Sequence, residues 1–260
     1  MDNYALDANW ERKIQSRARR ILAIDDVADR PHAVDVLLDQ NLNRDATRYA
    51  DYVNPETTQL LGPSYALLRD EFRVARRVSR VRTSVGSVLV FFGGSDPHDV
   101  TSVALDALVI AGMDSRNVHV VLGLAHKNVD SVLARVEQHP TWHAYTYTEK
   151  MADVMRRSDL CVGASGSATW ERAAVGLPAL IISTAENQVS IAEAAQEAGL
   201  ADYVGRHDTV DAVSLGVRLA ALAEDNERIR KMSRSAFNTT DGLGVRRVAD
   251  VLEGKEVDSA

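Results

Sequence analysis

The residues best suited to bind a ligand follow a short apolar run at 160–162, where the chain passes through glycine, alanine and serine at 163–167. Small side chains allow a ligand to approach the backbone closely. A helix that begins directly afterwards would present free N–H groups and a partial positive charge. This combination favours an anion, and a diphosphate suits it well.

One carboxylate in the same segment could bind a sugar ring. Glu171 is expected about one turn into the helix that follows, where it can accept hydrogen bonds from both hydroxyls of a ribose. The alternative is a tight strand-to-helix turn in which Ser167 is the N-cap and Glu171 is a solvated acid of the first turn. Both interpretations stay open from the residues alone.

Three known motifs with small-residue loops are excluded by the residues at their required positions. A nucleophile elbow requires G-x-S-x-G, but the residue two positions after Ser165 is Ser167. A P-loop requires a lysine directly after its second glycine, whereas Gly166 is followed by a serine. The dinucleotide motif G-x-G-x-x-G does not occur in the sequence.

A second small-residue loop is expected at the same edge of a parallel sheet. It spans residues 92–97, contains Gly94 and follows the first predicted strand of this region. Doubly wound sheets bind ligands at the carboxyl ends of their strands, so two such loops favour a phosphate-bearing ligand. The alternative is a Gly-rich turn with Asp96 near a helix start.

A polar pair follows a later strand. Asn187 and Gln188 come shortly after the strand predicted at 179–183, which ends at the same sheet edge. They either cap the next helix or contact a polar ligand, and the sequence favours neither interpretation.

The sequence predicts no metal and no organic cofactor. The seven histidines are scattered without H-x-H or H-E-x-x-H spacing, and the single cysteine, Cys161, excludes an intramolecular disulfide. His32 and Asp35 could approach Asp25 and Asp26, but a carboxylate metal site needs more converging oxygens than this pattern supplies. A structural hydrogen-bonded arrangement is therefore the favoured interpretation.

These motifs lie in a stretch whose pattern indicates an α/β fold with a parallel sheet. From about residue 86 onward, short β-branched runs alternate with amphipathic stretches, and strands buried on both faces should be continuously apolar. Strands are predicted at 87–92, 117–122, 143–147, 160–162, 179–183 and 202–204. Helices are predicted near 100–112, 129–138, 150–157, 168–175, 188–198, 209–223 and 242–253.

The first 70 residues show a smaller pattern of the same kind. A helix near 7–18 and strands at 21–24 and 34–38 could belong to a second α/β sheet, which is smaller than a full doubly wound lobe. The segment 69–82 that follows holds six arginines and no glycine or proline. A solvated connecting helix or linker is the favoured interpretation, and a phosphate-attracting rim is the alternative.

The composition excludes several classes of protein. Of the 260 residues, 45% are hydrophobic and 26% are charged, which is typical of a globular chain. The formal net charge of −7 argues against nucleic acid as a partner. The longest apolar runs, such as 88–92, are far shorter than the roughly 20 residues that span a bilayer, and residues 1–10 lack the apolar stretch of a signal peptide. We expect a cytoplasmic monomer without a membrane partner.

Taken together, the motifs resemble those of a known family. The segment 163–178 is similar to the nucleotide-sugar lobe of GT-B proteins, and more closely to that of the UDP-2,4-diacetamido-2,4,6-trideoxy-β-L-altropyranose hydrolases of pseudaminic acid synthesis. The resemblance covers residues 2 to about 205. Its other motifs are Asp2-Asn3-Tyr4, Ile24-Asp25-Asp26, Arg30-Pro31-His32, Asp39-Gln40-Asn41, Leu61-Gly62-Pro63, Tyr65-Ala66-Leu67-Leu68-Arg69 and Phe92-Gly93-Gly94-Ser95-Asp96-Pro97.

The resemblance implies a reaction and a nucleotide site. The reaction is hydrolysis of a UDP-sugar by C–O cleavage at the anomeric carbon, which releases UDP and 2,4-diacetamido-2,4,6-trideoxy-L-altrose without a metal. By resemblance, Ser165, Gly166 and Ser167 hold the diphosphate and Glu171 holds the ribose. The backbone around Thr148 and Met151 holds the uracil, and Gly94 belongs to the second nucleotide-binding loop.

The resemblance also implies catalytic residues, one of which has no counterpart here. Tyr4 matches a family tyrosine at the catalytic cleft, and Asn187 would face the sugar. Family members open with a strand and a loop that carries a histidine in a G-x-G-H-like motif, and that histidine is the proposed general base. Nothing in this sequence corresponds to it, so we expect UDP binding with poor or no hydrolysis, since a missing base removes about 10²–10⁴-fold of rate.

Pattern and resemblance together predict a GT-B-like α/β protein with a Rossmann-like C-terminal lobe and a truncated N-terminal lobe. The expected division is a partial N-terminal lobe at 1–75, a linker at 76–85, a UDP-binding lobe at 86–235 and a helix and tail at 236–260. Two alternatives to the hydrolase stay open: a GT-B glycosyltransferase that uses a UDP-sugar donor, and a non-catalytic nucleotide-sugar-binding protein.

Overall fold

The computed structural model describes residues 2–42 and 46–255, and the chain divides into two compact units. Met1–Leu68 and Thr240–Ala260 make up the first unit, and Arg69–Thr239 make up the second. The C-terminal residues thus group with the N-terminal ones, whereas the sequence pattern treated 236–260 as a separate helix and tail. The second unit begins at Arg69, ahead of the linker expected at 76–85.

Nine strands and ten α-helices lie in the described part of the chain. The strands are β1 (Leu22–Ile24), β2 (Val36–Asp39), β3 (Thr58–Leu61), β4 (Ser87–Phe91), β5 (Asn117–Val121), β6 (Trp142–Tyr145), β7 (Leu160–Ala164), β8 (Ala179–Ser183) and β9 (Ala201–Arg206). The helices are α1 (Ala8–Ile14), α2 (Asp70–Arg77), α3 (Val100–Ile110), α4 (Val129–Val136), α5 (Met151–Arg157), α6 (Ala168–Ala174), α7 (Val189–Glu197), α8 (Ala212–Glu224), α9 (Asn226–Thr239) and α10 (Gly244–Glu253). None of these helices is both long and apolar enough to cross a bilayer.

The second unit contains a six-stranded parallel sheet in the order β6-β5-β4-β7-β8-β9. Counted from β4, this is the 3-2-1-4-5-6 order of a doubly wound sheet, which reverses direction between its first and fourth strands. Here those strands are β4 and β7, with Val88 opposite Leu160 and Phe91 opposite Gly163. Their carboxyl ends therefore open the crevice in which this topology binds ligands.

The core of the second unit explains its continuous apolar runs. β7 and β8 are buried at every position, as expected for parallel strands covered on both faces. Val90 of β4, Leu105 of α3 and Leu219 of α8 belong to the same core cluster. Each large apolar side chain buried in this way stabilises the fold by about 1.5–3 kcal/mol relative to its exposed state.

The sequence pattern predicted the strands of the second unit well. All six are present, although β9 is longer than expected and β6 ends at Tyr145, which leaves Tyr147 in the following loop. Helix α9 was not predicted, because its buried residues Ile229, Met232 and Ala236 are separated by charged and polar side chains. Their i, i+3, i+7 spacing is nevertheless that of one helical face.

The arginine-rich segment 69–82 is a helix followed by an irregular stretch, and its interpretation as solvated is wrong for Arg82. That side chain is fully buried. Its guanidinium donates to the carbonyl oxygens of Ser158 and Met155, and also to that of Val175. These carbonyls lie at the C-terminal ends of α5 and α6, where partial negative charge collects. Burial lowers the pKa of Arg82 to about 10, so the group stays charged at neutral pH.

The first unit contains a three-stranded parallel sheet in the order β1-β2-β3. Strands near 21–24 and 34–38 were predicted, whereas β3 was not, because Thr58–Leu61 has only two apolar residues. Val36 and Leu38 of β2 pack in one cluster with Val248 of α10. Packing against β2 is what places the C-terminal helix in this unit.

Charged side chains are buried at the carboxyl end of β1. Nδ1 of His32 lies 2.7 Å from Oε1 of Glu11, and Arg30 lies 2.9 Å from Asp25. Burial alone would raise the pKa of Asp25, but the nearby His32 at 3.9 Å, the hydrogen bond from the Ala28 N–H and the charge of Arg30 outweigh it and lower that pKa to about 2. Burial opposes the charged form of His32, yet contacts with Asp25 and Glu11 raise its pKa overall. This agrees with the structural interpretation of His32.

Candidate functional site

A cleft of about 900 Å³ lies at the carboxyl edge of the sheet in the second unit. The loops after β4, β5, β6, β7 and β8 all contribute to its walls, as the reversal of strand order predicts. Six of the residues predicted to bind a nucleotide line it, namely Gly94, Thr148, Met151, Gly166, Ser167 and Glu171. The tertiary structure thus brings together residues that are up to 77 positions apart, from Gly94 to Glu171.

The loop after β4 is held by the residue that the sequence placed near a helix start. The Asp96 carboxylate accepts hydrogen bonds from the backbone N–H groups of Val100 and Thr101, at 3.0 and 2.8 Å, and so caps the start of α3. The loop also touches its neighbour after β5, because a Cβ at Gly123 would lie 2.1 Å from the Gly94 carbonyl oxygen. Glycine is required there for the two loops to meet.

The turn after β7 presents backbone rather than hydroxyl groups to the cleft. Ser165 is fully buried, and its Oγ donates to the Gln188 carbonyl oxygen at 3.1 Å, so its side chain connects two loops of the protein. The N–H groups of Gly166 and Ser167 have no hydrogen-bond acceptor in the described part of the chain. Two adjacent N–H groups left free at a cleft are suited to an anion.

Ser167 occupies the N-cap position that the alternative interpretation assigned to it. Its backbone is nevertheless helical, and its side chain makes no capping hydrogen bond. The hydroxyl is exposed at the cleft, so the residue remains available to a ligand. The position was predicted correctly, while the capping interaction is absent.

Glu171 is not the solvated acid of the alternative interpretation. Its side chain is only 20% exposed, and its oxygen lies 3.5 Å from Nη2 of Arg69. Burial raises the pKa of Glu171, against the opposing charges of Arg69 and Arg172. Arg69 also lies 2.8 Å from Glu71, so it faces two carboxylates at once. A polar ligand that hydrogen-bonds Glu171 would replace part of the hydration that burial removes.

Apolar side chains stand at the mouth of the cleft, and the sequence did not single them out. Leu124, after β5, is 81% exposed, and Tyr147, after β6, is 57% exposed. Both line the cleft. Large apolar side chains left in water at a pocket are a common mark of ligand contact. The sequence signal was weak, because Tyr147 had been assigned to the strand itself.

The two predicted catalytic residues, Tyr4 and Asn187, lie in different units. Asn187 is exposed in the short 3₁₀ turn Glu186–Gln188, and its neighbour Gln188 lines the cleft. Gln188 is the N-cap of α7 but makes no side-chain cap. Tyr4 belongs to the first unit, where its hydroxyl donates to Asp26 at 2.9 Å.

One group of side chains in the described residues has the geometry to approach a metal ion. Ligand atoms of Asp96, Asp99 and His126 lie within 4.8 Å of one another. Nδ1 of His126 accepts a hydrogen bond from the Asn128 N–H, which places the imidazole proton on Nε2. Nε2 then faces Asp96 at 3.5 Å as a donor, so it cannot offer a lone pair to a cation. We interpret the group as a support for the two loops.

The sequence of the second unit matches a known family. A family model described as the glycosyltransferase family 28 C-terminal domain matches residues 88–246. The chain belongs to this glycosyltransferase family. The match begins in β4 and includes every loop that lines the cleft after that strand.

Curated relatives of the family 28 domain carry related names. The chain is 26% identical over 203 residues to the spore coat polysaccharide biosynthesis protein SpsG of Bacillus subtilis, and this alignment covers 78% of the chain and 60% of SpsG. It is 27% identical over 180 residues to the UDP-N-acetylglucosamine–N-acetylmuramyl-(pentapeptide) pyrophosphoryl-undecaprenol N-acetylglucosamine transferase of Sulfurovum, covering 67% of the chain and 51% of that enzyme. The chain thus spans about half to three-fifths of these two relatives.

Solved structures confirm the fold of the family 28 chain. The Acinetobacter baumannii MurG structure superimposes with a TM-score of 0.62 at 14% identity, covering 94% of this chain and 76% of that one. The structure of S. aureus MnaA with UDP has a TM-score of 0.62 at 11% identity, covering 96% and 81%. The predicted GT-B-like α/β fold is therefore confirmed, and the resemblance to nucleotide-sugar proteins holds at the level of the glycosyltransferase family.

Proposed function

We propose that the chain binds a UDP-sugar in the cleft of its second unit and transfers the sugar to an acceptor hydroxyl. The observation that carries this proposal is the pairing of free N–H groups at Gly166 and Ser167 with the shielded carboxylate of Glu171 on one cleft wall. Free N–H groups suit a diphosphate, and a shielded carboxylate suits the hydroxyls of a ribose. A nucleoside diphosphate carries both groups next to each other.

Each part of the UDP-sugar contacts a different loop of the cleft in this proposal. The diphosphate lies against the turn after β7, and the ribose hydroxyls donate to Glu171. The uracil lies against the loop that contains Thr148 and Met151, with Tyr147 as an apolar cover. The sugar then extends toward Gln188 and Asn187, whose loop follows β8.

The chemistry that follows is displacement at the anomeric carbon. The bond between that carbon and the β-phosphate oxygen breaks, UDP leaves with the bonding electrons, and the acceptor oxygen forms the new bond and loses its proton. Negative charge grows on the departing phosphate in the transition state. The free N–H groups and the nearby guanidinium of Arg69 stabilise such charge without moving far.

The relatives support this class of donor. The Sulfurovum relative is named as a transferase of N-acetylglucosamine from its UDP derivative, SpsG is named for polysaccharide synthesis, and the MnaA structure contains UDP. We propose UDP-N-acetylglucosamine as the first donor to test.

A second candidate is hydrolysis of a UDP-sugar, with water as the acceptor. The observation that favours it is in the first unit, where several motifs of the resemblance meet. Tyr4 contacts Asp26, Asp25 contacts Arg30, and His32 faces Asp25 at 3.9 Å. Apart from Tyr4, these residues follow β1, at the edge of the sheet where parallel folds bind ligands.

Calorimetric titration of UDP tests the shared part of both proposals. The wild-type protein should bind UDP, and Glu171→Gln should weaken that binding by about 1–3 kcal/mol, the scale for losing a hydrogen bond to a charged group. Glu193→Gln, which removes an acid from the exposed side of α7, is the matched control and should bind UDP like the wild type. A folded protein with no affinity for UDP would exclude the proposed site.

Release of UDP then separates transfer from hydrolysis. The protein is incubated with UDP-N-acetylglucosamine, with and without a polysaccharide acceptor, and free UDP is measured. UDP that appears only with the acceptor supports transfer, whereas the same rate in both samples, with free sugar as product, supports hydrolysis.

A further inference from the structure

Two arginines are buried in the second unit, and they differ in how their charge is satisfied. Arg82 donates to several backbone carbonyls at the C-terminal ends of helices. Arg172, in α6, is 2% exposed, and its Nη2 donates to the Ala164 carbonyl oxygen and to Oγ1 of Thr169, both at 3.0 Å. Its Nη1 is buried and has no hydrogen-bond partner among the described residues.

Arg172 also forms no ion pair. In the described part of the chain no carboxylate lies within ion-pair distance of its guanidinium. Its titratable neighbours are the carboxylate of Glu171, whose charge acts on it from a greater distance, and the Cys161 thiol, whose pKa is raised by burial. A buried guanidinium remains protonated, and buried charges in proteins are normally paired. The charge of Arg172 is therefore only partly offset by its neighbours, and an anion bound at the turn would complement it.

The guanidinium lies directly behind the turn that faces the cleft. Nη2 contacts the carbonyl of Ala164, the last residue of β7, and a Cβ at Gly163 would lie 3.5 Å from Nη1. That same Cβ would lie 2.4 Å from the Phe91 carbonyl oxygen, so glycine allows both strands to close over the cation. The free N–H groups of Gly166 and Ser167 lie two and three residues further along.

We propose that Arg172 is a positioning residue for the diphosphate, tying the end of β7 to α6 and supplying a fixed positive charge behind the turn. This inference rests on the proposed UDP-sugar site. The sequence had marked Glu171 and left its neighbour unassigned. Glu171 lines the cleft, whereas Arg172 does not line it and reaches from α6 to the carbonyl oxygen of Ala164 at the end of β7.

If the charge of Arg172 acts on the ligand through the turn, its contribution to binding affinity should increase with the negative charge of the ligand. Uridine is neutral, whereas UMP and UDP carry increasing negative charge, so the contribution of Arg172 should grow in that order. A residue that only holds the turn in shape should instead affect ligands without regard to their charge. The ratio of UDP affinity to uridine affinity therefore measures the electrostatic role.

The test compares Arg172→Met and Arg172→Lys with the wild type, using competition binding of uridine, UMP and UDP. Arg172→Met should lower UDP affinity by about tenfold to a hundredfold, lower UMP affinity less, and leave uridine affinity within about twofold. Arg228→Met is the matched control, because Arg228 pairs with Asp202 at the surface and does not line the cleft. It should leave all three affinities unchanged.

Arg172→Lys provides a readout that a purely structural role would not change. A buried lysine loses its proton at lower pH than an exposed one, whereas arginine does not. UDP affinity of Arg172→Lys, relative to the wild type at each pH, should therefore fall as the pH rises from 6 to 9. If Arg172→Met does not fold, as judged by near-ultraviolet circular dichroism, this pH dependence decides the question.

The outcomes are distinct. A UDP-to-uridine ratio that falls in Arg172→Met, or a pH-dependent affinity in Arg172→Lys, supports the proposal. Equal losses for all three ligands, or no pH dependence in a folded lysine variant, overturn it while leaving the UDP site intact. Absence of UDP binding by the wild type would instead overturn the proposed function itself.

Discussion

The two units each have a parallel sheet, and the polar groups at the carboxyl ends of the strands differ in their hydrogen bonding. Among the described residues, the edge in the second unit carries small residues, free N–H groups at Gly166 and Ser167, and a buried Arg172 that forms no ion pair. In the first unit Asp25, directly after β1, and Asp39, the last residue of β2, already accept hydrogen bonds from neighbouring residues.

Hydrogen bonds to buried carboxylates contribute to the stability of the first unit. Asp39 accepts from the Asn41 N–H, from Tyr49 and from Arg48, all within 3.0 Å, and these bonds hold the loops of the first unit together. An edge satisfied in this way gains stability from its charges. N–H groups that have no acceptor within the protein contribute no such stability, but they can donate hydrogen bonds to a ligand.

The largest effect is expected from breaking the ion network of the first unit. Asp25→Asn keeps the shape of the side chain but removes the buried carboxylate that pairs with Arg30 and faces His32, so unfolding free energy should fall by about 3–5 kcal/mol. Asp29→Asn is the matched control, since Asp29 contacts the same Arg30 but is 59% exposed, and it should cost about 1 kcal/mol or less. Urea unfolding, with hydrogen exchange followed separately in each unit, measures the stability of both variants. Equal losses of unfolding free energy in Asp25→Asn and Asp29→Asn would show that burial of the carboxylate does not determine its contribution.

A steric change should have the next largest effect, this time in the second unit. Gly163→Ala places a Cβ 2.4 Å from the Phe91 carbonyl oxygen in the centre of the sheet, which should destabilise that unit by about 1–3 kcal/mol or more. Gly94→Ala is the control, because no atom lies within 4 Å of its added Cβ. It should unfold like the wild type in thermal denaturation, and a loss as large as that of Gly163→Ala would show that the clash is not the cause.

The stability of the first unit should depend on pH through His32. Its pKa is raised in the folded state, so its contribution is full below the unfolded value of about 6.5 and is lost as pH rises through the folded pKa. Asp25, with a folded pKa of about 2, contributes above pH 3.8 and loses that contribution as pH falls toward 2. Urea titrations from pH 6 to 9 should show stability falling in the wild type, and His32→Gln should remove that slope.

The smallest effect is expected at Ser165, the predicted diphosphate residue whose hydroxyl is turned to Gln188. Ser165→Ala should lower unfolding free energy by about 0.5–1.5 kcal/mol and change UDP affinity by less than about threefold. Ser167→Ala is the comparison, since that hydroxyl is exposed at the cleft, and it should affect UDP affinity more than stability. Calorimetry measures the UDP affinity of the two variants, and thermal denaturation measures their stability. A larger loss of UDP affinity in Ser165→Ala than in Ser167→Ala would show that Ser165 contacts the ligand directly.

Much of the second unit could be predicted because its signals are local. Buried parallel strands are continuously apolar, so β4, β5, β7 and β8 appear directly in the sequence. β3 and α9 were missed because their residues are mostly polar and their burial comes from packing elsewhere in the chain. The arginines of 69–82 could not be sorted by local pattern, since only the folded chain brings carbonyl groups to Arg82.

The class of fold, the strand-to-turn-to-helix segment that carries Glu171, and the two small-residue loops at one sheet edge could all be predicted from the amino-acid sequence. These follow from local side-chain size, polarity and spacing, which are properties of neighbouring residues. Only folding establishes that Ser165 faces Gln188, that Arg69 faces Glu171, and that Nη1 of Arg172 is buried without a hydrogen-bond partner among the described residues. Burial and pairing depend on residues far apart in the chain, because a charge is shielded or satisfied only by the groups that folding brings to it.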